Sequence, residues 1–255
     1  MFTQVSKTLN LDLYPDLQQS GGLASALQRV LQELGTELIA KDLEEPRFIV
    51  YAFVGMGDRS SQVTVAAHER AFHVDFWNQG VQYGSGWIGN LKEVGEAITA
   101  FQVHVTSVKD MVLRFPWWAD TGGSAHERGP EYFVAQKWQS LEEGIREEIE
   151  LSHPLLRELL GMVVEAARHP ELRRLLPFRS LFSLCFSRTT GYPYTRDCPV
   201  ACPIAQETFR VMLMDGKTIL GHGHAAQAAN ILVANLPPNC GAAVHGAAPW
   251  RTTNP

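Results

Sequence analysis

A short β-rich run, a tight turn, a return strand and then a helix: the chain writes this order twice, with a long block of helical periodicity between the copies. The first copy runs from Phe72-His73-Val74 to a turn at Asn78-Gln79-Gly80 and returns through Val81-Gln82-Tyr83. It passes Gly86 into a helix carrying Leu91, Val94, Ile98 and Phe101, for which Asn90 is the expected cap. The second runs from Phe209-Arg210-Val211 to Asp215-Gly216, returns from Lys217 to Leu220, and passes Gly221 into a helix over about 225–236. Hairpins make antiparallel sheet, and helices that follow the strands collect on one side of it. The expected class is α+β: two small antiparallel sheet-plus-helix lobes joined by a central helical segment. The echo reads as a duplicated plan or as two instances of a common unit, and the sequence leaves both open.

The rest of the chain fits around these units. Leu23, Leu27, Val30, Leu31 and Leu34 recur at helical spacing, with Gly35 as a stop. Phe48 to Val54 and Gln62 to Ala66 read as strands, while residues 103–118 follow no single period. Asp120 to Gly129 is Gly-rich and polar, which predicts a linker or mobile loop. Pro130 opens an amphipathic helix through Val134, Trp138, Leu141, Ile145 and Ile149. A second helix carries Leu155, Leu156, Leu159, Leu160 and Val163, and a third starts at Pro170 with Leu172, Leu175 and Leu176. Strands follow at Leu181 to Ser187 and Thr208 to Met214, and residues 237–255 read as irregular. The expected divisions are 1–119, 120–180 and 181–255, which can also pack as one compact unit.

Bulk properties exclude several function classes. At 255 residues the chain is long enough for a sizeable core. A net charge of -5 provides no basic field for nucleic acid. The α-β-β-β-α order of the first lobe is shared with double-stranded RNA-binding domains. Its second helix, however, begins Leu91-Lys92-Glu93-Val94-Gly95-Glu96, which is acidic where those domains are basic. The apolar runs are too short to span a bilayer, and the first residues contain no apolar h-region, so a cytoplasmic protein is expected. No Walker A loop, G-x-S-x-G elbow, H-E-x-x-H helix or dinucleotide fingerprint occurs. The expectation is a protein without a nucleotide, redox or other cofactor.

Residues 178–203, FRSLFSLCFSRTTGYPYTRDCPVACP, hold the main candidates for chemistry. Arg188, Tyr192, Tyr194, Arg196 and Asp197 follow a strand, where scaffolds present functional groups. Arg188 suits an anion or carbonyl anchor, Tyr192 or Tyr194 a proton donor, and Asp197 a base. The plainer structural reading is a turn with packed tyrosines and a surface ion pair. His222 and His224 are further acid–base candidates. Cys198 and Cys202, with His222 and His224 and then Cys240 and His245, contain the ligand types of tetrahedral zinc, but at spacing too loose for a zinc finger. No metal site is assigned, and the prolines at 199 and 203 fit a stiff extended loop. Trp77, Trp87, Trp117, Trp118 and Tyr83 are able to line an apolar pocket. Large aromatics are more often core, and Trp138 and Cys185 read as core.

Four stretches carry a resemblance: YPDLQQSGGLASAL at 14–27, GPEYFVAQKWQSL at 129–141, PELRRLLPFRSLFSLCFSRTTGYPYTRDCP at 170–199 and LPPNCGAAVHG at 236–246. Together they resemble an uncharacterised bacterial domain-of-unknown-function family of natural product biosynthesis proteins. Phe186-Ser187-Arg188, Gly191-Tyr192-Pro193 and Asp197 are the most specific part. Cys198 and Cys202 depart from that pattern, as does AAPWRTTNP at 247–255. The resemblance implies a biosynthetic setting and supplies no catalytic residue. The resulting expectation is a cofactor-independent accessory enzyme that cyclises, isomerises or dehydrates a small-molecule or peptide intermediate by acid–base catalysis. The alternatives are a non-catalytic binding, chaperone or carrier protein and, second, a zinc-dependent enzyme.

Overall fold

In the computed structural model, residues 10–42, 51–149, 154–205 and 207–249 are described. The chain forms two units, Met1–Ser124 and Ala125–Pro255. Both are antiparallel sheets packed with helices, so the fold is α+β. In chain order the first unit contains α1 (Pro15–Ser20), α2 (Leu23–Glu33), β1 (Ala40–Lys41), β2 (Tyr51–Met56), β3 (Arg59–Val65), β4 (Phe72–Asn78), β5 (Val81–Ile88), α3 (Leu91–Gln102), α4 (Val108–Arg114) and β6 (Ala119–Asp120). After α5 (Gly123–Glu127) come α6 (Pro130–Ile149), α7 (Pro154–Ala166), α8 (Pro170–Arg173), β7 (Leu176–Ser180), β8 (Ser183–Ser187), β9 (Thr189–Gly191), β10 (Val200–Ala205), β11 (Thr208–Met212), β12 (Ile219–Gly223), α9 (Ala225–Ala234) and β13 (Val244–Ala247).

The first sheet is a plain meander, β1-β2-β3-β4-β5-β6. Gln79 and Gly80 both take positive φ, 50° and 77°, which is the turn that joins two right-twisted strands at Asn78 and Val81. Asn90 Oδ1 accepts a hydrogen bond from the Lys92 N–H at 2.9 Å and so starts α3. Ala52, Val54, Val63, Val74 and Phe76 face the helices and are buried with Leu27 and Leu31 of α2 and Ile98 and Phe101 of α3. The N-terminal segment is tied down by Tyr14, whose hydroxyl accepts from the Ala71 N–H and lies 2.8 Å from the Ala66 and Glu69 carbonyl oxygens. The strand expected at Phe48 to Val54 thus appears from Tyr51 on; residues 48–50 lie outside the described residues.

Residues 103–118, which carry no single period, become α4 and a sharp return along the sheet edge. The edge is shaped by glycine. Gly84 is the register partner of Phe76, and the Trp118 indole lies over it, 3.9 Å from the Phe76 ring centroid. An added Cβ at Gly84 would sit 2.2 Å from that indole. At Gly86 it would sit 2.1 Å from the Trp117 carbonyl oxygen. Trp117 and Trp118 therefore replace the missing side chains of β5.

The second sheet has the order β12-β11-β10-β8-β7, with α7 and α9 packed on it and α6 packed on α7 and β7. Trp138 is buried, and its indole N–H donates to the Leu175 carbonyl at 3.1 Å. Cys185 is buried in β8. A two-stranded parallel pair, β13 with β9, completes the unit.

Four sequence expectations need correction. Asp120 to Gly129 contains a helix, α5: Asp120 Oδ1 accepts from the Gly122 and Ser124 N–H groups and caps it, so the polar residues start an element instead of a loop. Leu176 does not extend the third helix but opens β7, which pairs with β8 through a turn at Leu181, a residue at φ 54° and 84% exposed. The extended loop expected through Cys198 and Cys202 keeps Cys198 but gives way at Val200 to β10, a central strand that takes Pro203 at an irregularity in its register. The tail includes β13.

The Trp118 indole is hemmed in by Phe76 and Phe101 and cannot yield to a new methyl group. Gly84→Ala is expected to destabilise the first unit by about 1–3 kcal/mol, in the range of overpacked cores. Urea unfolding followed by tryptophan fluorescence measures it. An unchanged midpoint would show that Trp118 is not seated on Gly84.

Candidate functional site

The chain leaves β8 at Ser187 and folds back at once. Ser187 is fully buried, and its hydroxyl donates to the Thr189 carbonyl at 2.8 Å while accepting from the Thr189 and Thr195 N–H groups at 3.1 and 3.2 Å. Thr195 Oγ1 accepts from the Arg188 N–H at 2.9 Å. These bonds fix the loop and bring Arg188 and Asp197, nine residues apart, into an ion pair. The hydrogen bond that the Arg188 guanidinium donates to Asp197 raises its pKa further above neutrality. Partial burial pushes the Asp197 carboxyl up, but the Arg188 hydrogen bond and charge more than offset it, and the net shift is downward. The pair sits at the surface, with side chains 41% and 38% exposed.

The two tyrosines of this loop pack with each other. Tyr194 lies on Phe178, with ring centroids 4.4 Å apart, and burial pushes its hydroxyl pKa up. Tyr192, half exposed, stands edge-on to Tyr194 at 5.8 Å. The loop thus brings its four named residues together as two separate pairs, a cation and anion that neutralise each other and two tyrosines packed edge-on. Arg196 is exposed beside them.

His222 and His224 behave differently from each other. His222 is exposed on β12, opposite Arg210 of β11. His224 caps α9, and its Nδ1 lies 2.9 Å from the Glu207 carbonyl oxygen. A carbonyl only accepts, so the tautomer that makes this hydrogen bond carries its proton on Nδ1 and its lone pair on Nε2. Gln227 Oε1 accepts from the His224 N–H at 3.3 Å and steadies the backbone. The Glu207 N–H in turn donates to Glu158 Oε2 of α7 at 2.8 Å. Beside His224 is an open groove of about 520 Å³, lined by Arg157, Glu158, Gly161, Glu207 and Phe209. Arg157, Glu158 and Glu207 were not legible as site residues, because α7 and the β10–β11 turn meet only in the fold.

A second histidine pair also escapes the sequence reading. His126 of α5 is 2% exposed, with Nε2 3.0 Å from Thr190 Oγ1 of β9 and 2.8 Å from His245 Nδ1 of β13. Burial, and then the charge of His245, lower its pKa to about 4. At neutral pH it is an uncharged tie between three elements.

The cysteines do not form a metal centre with the histidines. Among the described residues no three His, Cys, Asp or Glu side chains are grouped to hold an ion. Cys202 Sγ accepts from Ser183 Oγ at 3.1 Å, and His245 is with His126. Burial pushes the Cys198 and Cys185 thiols up to about 12, so neither supplies a thiolate at neutral pH. The zinc alternative therefore lacks an assembled ligand set among these residues.

Residues 132–247 match a family of unknown function, DUF6193. That range includes Arg188, His224 and the groove but leaves out the first unit. No curated protein and no solved structure matches the chain. No helix among the described residues is long and apolar enough to cross a membrane.

The His126 shift carries a sign. Its folded pKa, about 4, is below the ordinary 6.5, so between those values the unfolded chain binds a proton that the folded one refuses. Stability therefore falls as pH drops from about 6.5 toward 4, by up to about 3 kcal/mol from this residue. Urea midpoints at several pH values should show a shallower acid loss in His126→Gln than in the wild type. Parallel profiles would place the acid sensitivity elsewhere.

Proposed function

We propose that the chain is a cofactor-independent acid–base enzyme of a biosynthetic pathway, and that His224 moves the proton. The observation behind this reading is the hydrogen bond from His224 Nδ1 to the Glu207 carbonyl. It orients the imidazole and leaves Nε2 as a base beside a groove of about 520 Å³. A neutral Nε2 can take a proton from a small-molecule or peptide intermediate and return it at a neighbouring atom. The imidazolium formed meanwhile is favoured by the Glu207 carbonyl it already faces. Arg157 supplies positive charge where negative charge develops on the intermediate, and Phe209 supplies apolar contact. Isomerisation, dehydration and cyclisation all need this set and no cofactor. The biosynthetic setting rests on the resemblance of the four stretches, and the reaction class rests on His224.

The closed Arg188–Asp197 pair favours a second reading, a non-catalytic binding, chaperone or carrier protein for the same intermediate. An arginine already paired to a carboxylate does not offer itself to a substrate anion. The two readings separate at His224. In a strain lacking the gene, metabolites are compared by mass spectrometry after complementation with wild type or His224→Asn. Asparagine keeps an N–H for the Glu207 carbonyl but has no basic nitrogen. The enzyme reading expects the variant to accumulate the same intermediate as the null strain, with product formation down about 10²–10⁴-fold. Wild-type product levels from His224→Asn would leave the binding reading.

A further inference from the structure

The helices cover one face of the first sheet; the other face has an unusual make-up. Register places its residues in rows that run across the strands. Tyr51, Thr64, His73 and Trp87 form one row, and Phe53, Gln62, Asp75 and Ser85 the next. Trp77 follows His73 and Asp75 along β4 on the same face. The middle of this face is small and polar, while its flanks are aromatic: Tyr51 and Phe53 on β2, Trp87 on β5. A sheet face that meets only water has little use for a tryptophan 54% exposed.

At the centre is a carboxylate. Asp75 is directly opposite Gln62 and Ser85, and Trp87 is its diagonal neighbour across β5, within reach of a large side chain. Gln82 Nε2 donates to Asp75 Oδ1 and holds the carboxylate in place. The carboxylate's basic neighbour is His73, whose Nδ1 is 3.5 Å from Asp75 Oδ2, and Lys41 of β1 stands at the far end of the same row as the register partner of Phe53. His73 is itself stacked against Trp87, with ring centroids 4.8 Å apart. Arg59, at the end of β3, is turned to Phe101 instead: its guanidinium lies 4.5 Å from that ring centroid and donates to the Phe101 carbonyl. The Tyr51 hydroxyl has its pKa raised by burial and then by the Asp75 charge, so the negative potential reaches the far flank.

We propose that this face binds a small alkylated ammonium ion, seated over Asp75 against the Trp87 ring of β5. Aromatic faces attract a cation through their quadrupoles, and they do so best for one that sheds its water cheaply. An alkylated ammonium has apolar groups for the rings and a charge for the carboxylate. A hydrated primary amine asks for hydrogen-bond acceptors on every side, and of the aromatic flanks only the Tyr51 hydroxyl is one. β2 is three strand spacings, about 14 Å, from β5, so Trp87 is the ring within reach of an ion over Asp75, and Tyr51 and Phe53 bound the far side of the face. This site is in the first unit, outside the residues that match the family, and it stands independently of His224.

Isothermal titration of the whole protein with choline tests it, with 3,3-dimethylbutan-1-ol as the uncharged carbon analogue. Choline should bind saturably and the alcohol about tenfold or more weakly. Trp87→Ala and Asp75→Asn should each weaken choline binding by about tenfold, and Trp87→Phe should recover most of the loss. Both positions face solvent, and circular dichroism of each variant confirms that the fold is intact. Equal binding of choline and the alcohol overturns the proposal. So does an unchanged affinity in Trp87→Ala, or the absence of saturable choline binding.

Discussion

Each sheet is held by burying one of its faces under helices, and everything exposed on the other face takes its position from that burial. In the first unit Val54, Val63, Val74 and Phe76 alternate with Phe53, Gln62, Asp75 and Trp77 along the same strands. Each large apolar side chain removed from water contributes roughly 1.5–3 kcal/mol. Slipping any strand by one residue would exchange the two sets and lose that contribution. Asp75 and Trp87 are therefore placed by valines and phenylalanines that never touch a ligand. The second unit uses the same rule, with α7 and α9 fixing β8, β10 and β11 and hence the two ends at which Arg188 and His224 emerge.

Those two ends show what separates a polar residue from an available one. Arg188 and Asp197 attract attention as a charged cluster, yet they are each other's partner. Thr195 and Ser187 stitch the backbone that brings them together. His224 is a single imidazole on an exposed helix start. Its Nδ1 faces a neutral backbone carbonyl, which orients the ring without an ion pair.

Much of the fold could be read from local chemistry. Asn78-Gln79-Gly80, Asp215-Gly216, the Asn90 cap and Pro130 each announce an element, because backbone geometry demands those residue types locally. The reading fails where tertiary structure overrides local preference. The β7–β8 hairpin turns at Leu181, which has no turn propensity, and β10 is a central strand despite Pro203. The Gly-rich residues before Pro130 form a helix because Asp120 caps it. The site was legible to the same degree. His224 could be named from its residue type and position. Glu158 and Glu207 could not, since 49 residues separate them and only the packing of α7 against the sheet joins them. The pairing of His126 with His245 spans 119 residues and is equally silent in the sequence.

The meander of the first unit ends on both sides in strands of two residues, Ala40–Lys41 and Ala119–Asp120. Each carries one charge. A long, flat, neutral edge would offer a row of unpaired backbone groups on which another chain could polymerise. Here the rows are cut short and charged, so the sheet is closed to growth by a further strand. With its edges short and charged and one face under helices, what this unit holds out to other molecules among its described residues is the remaining face.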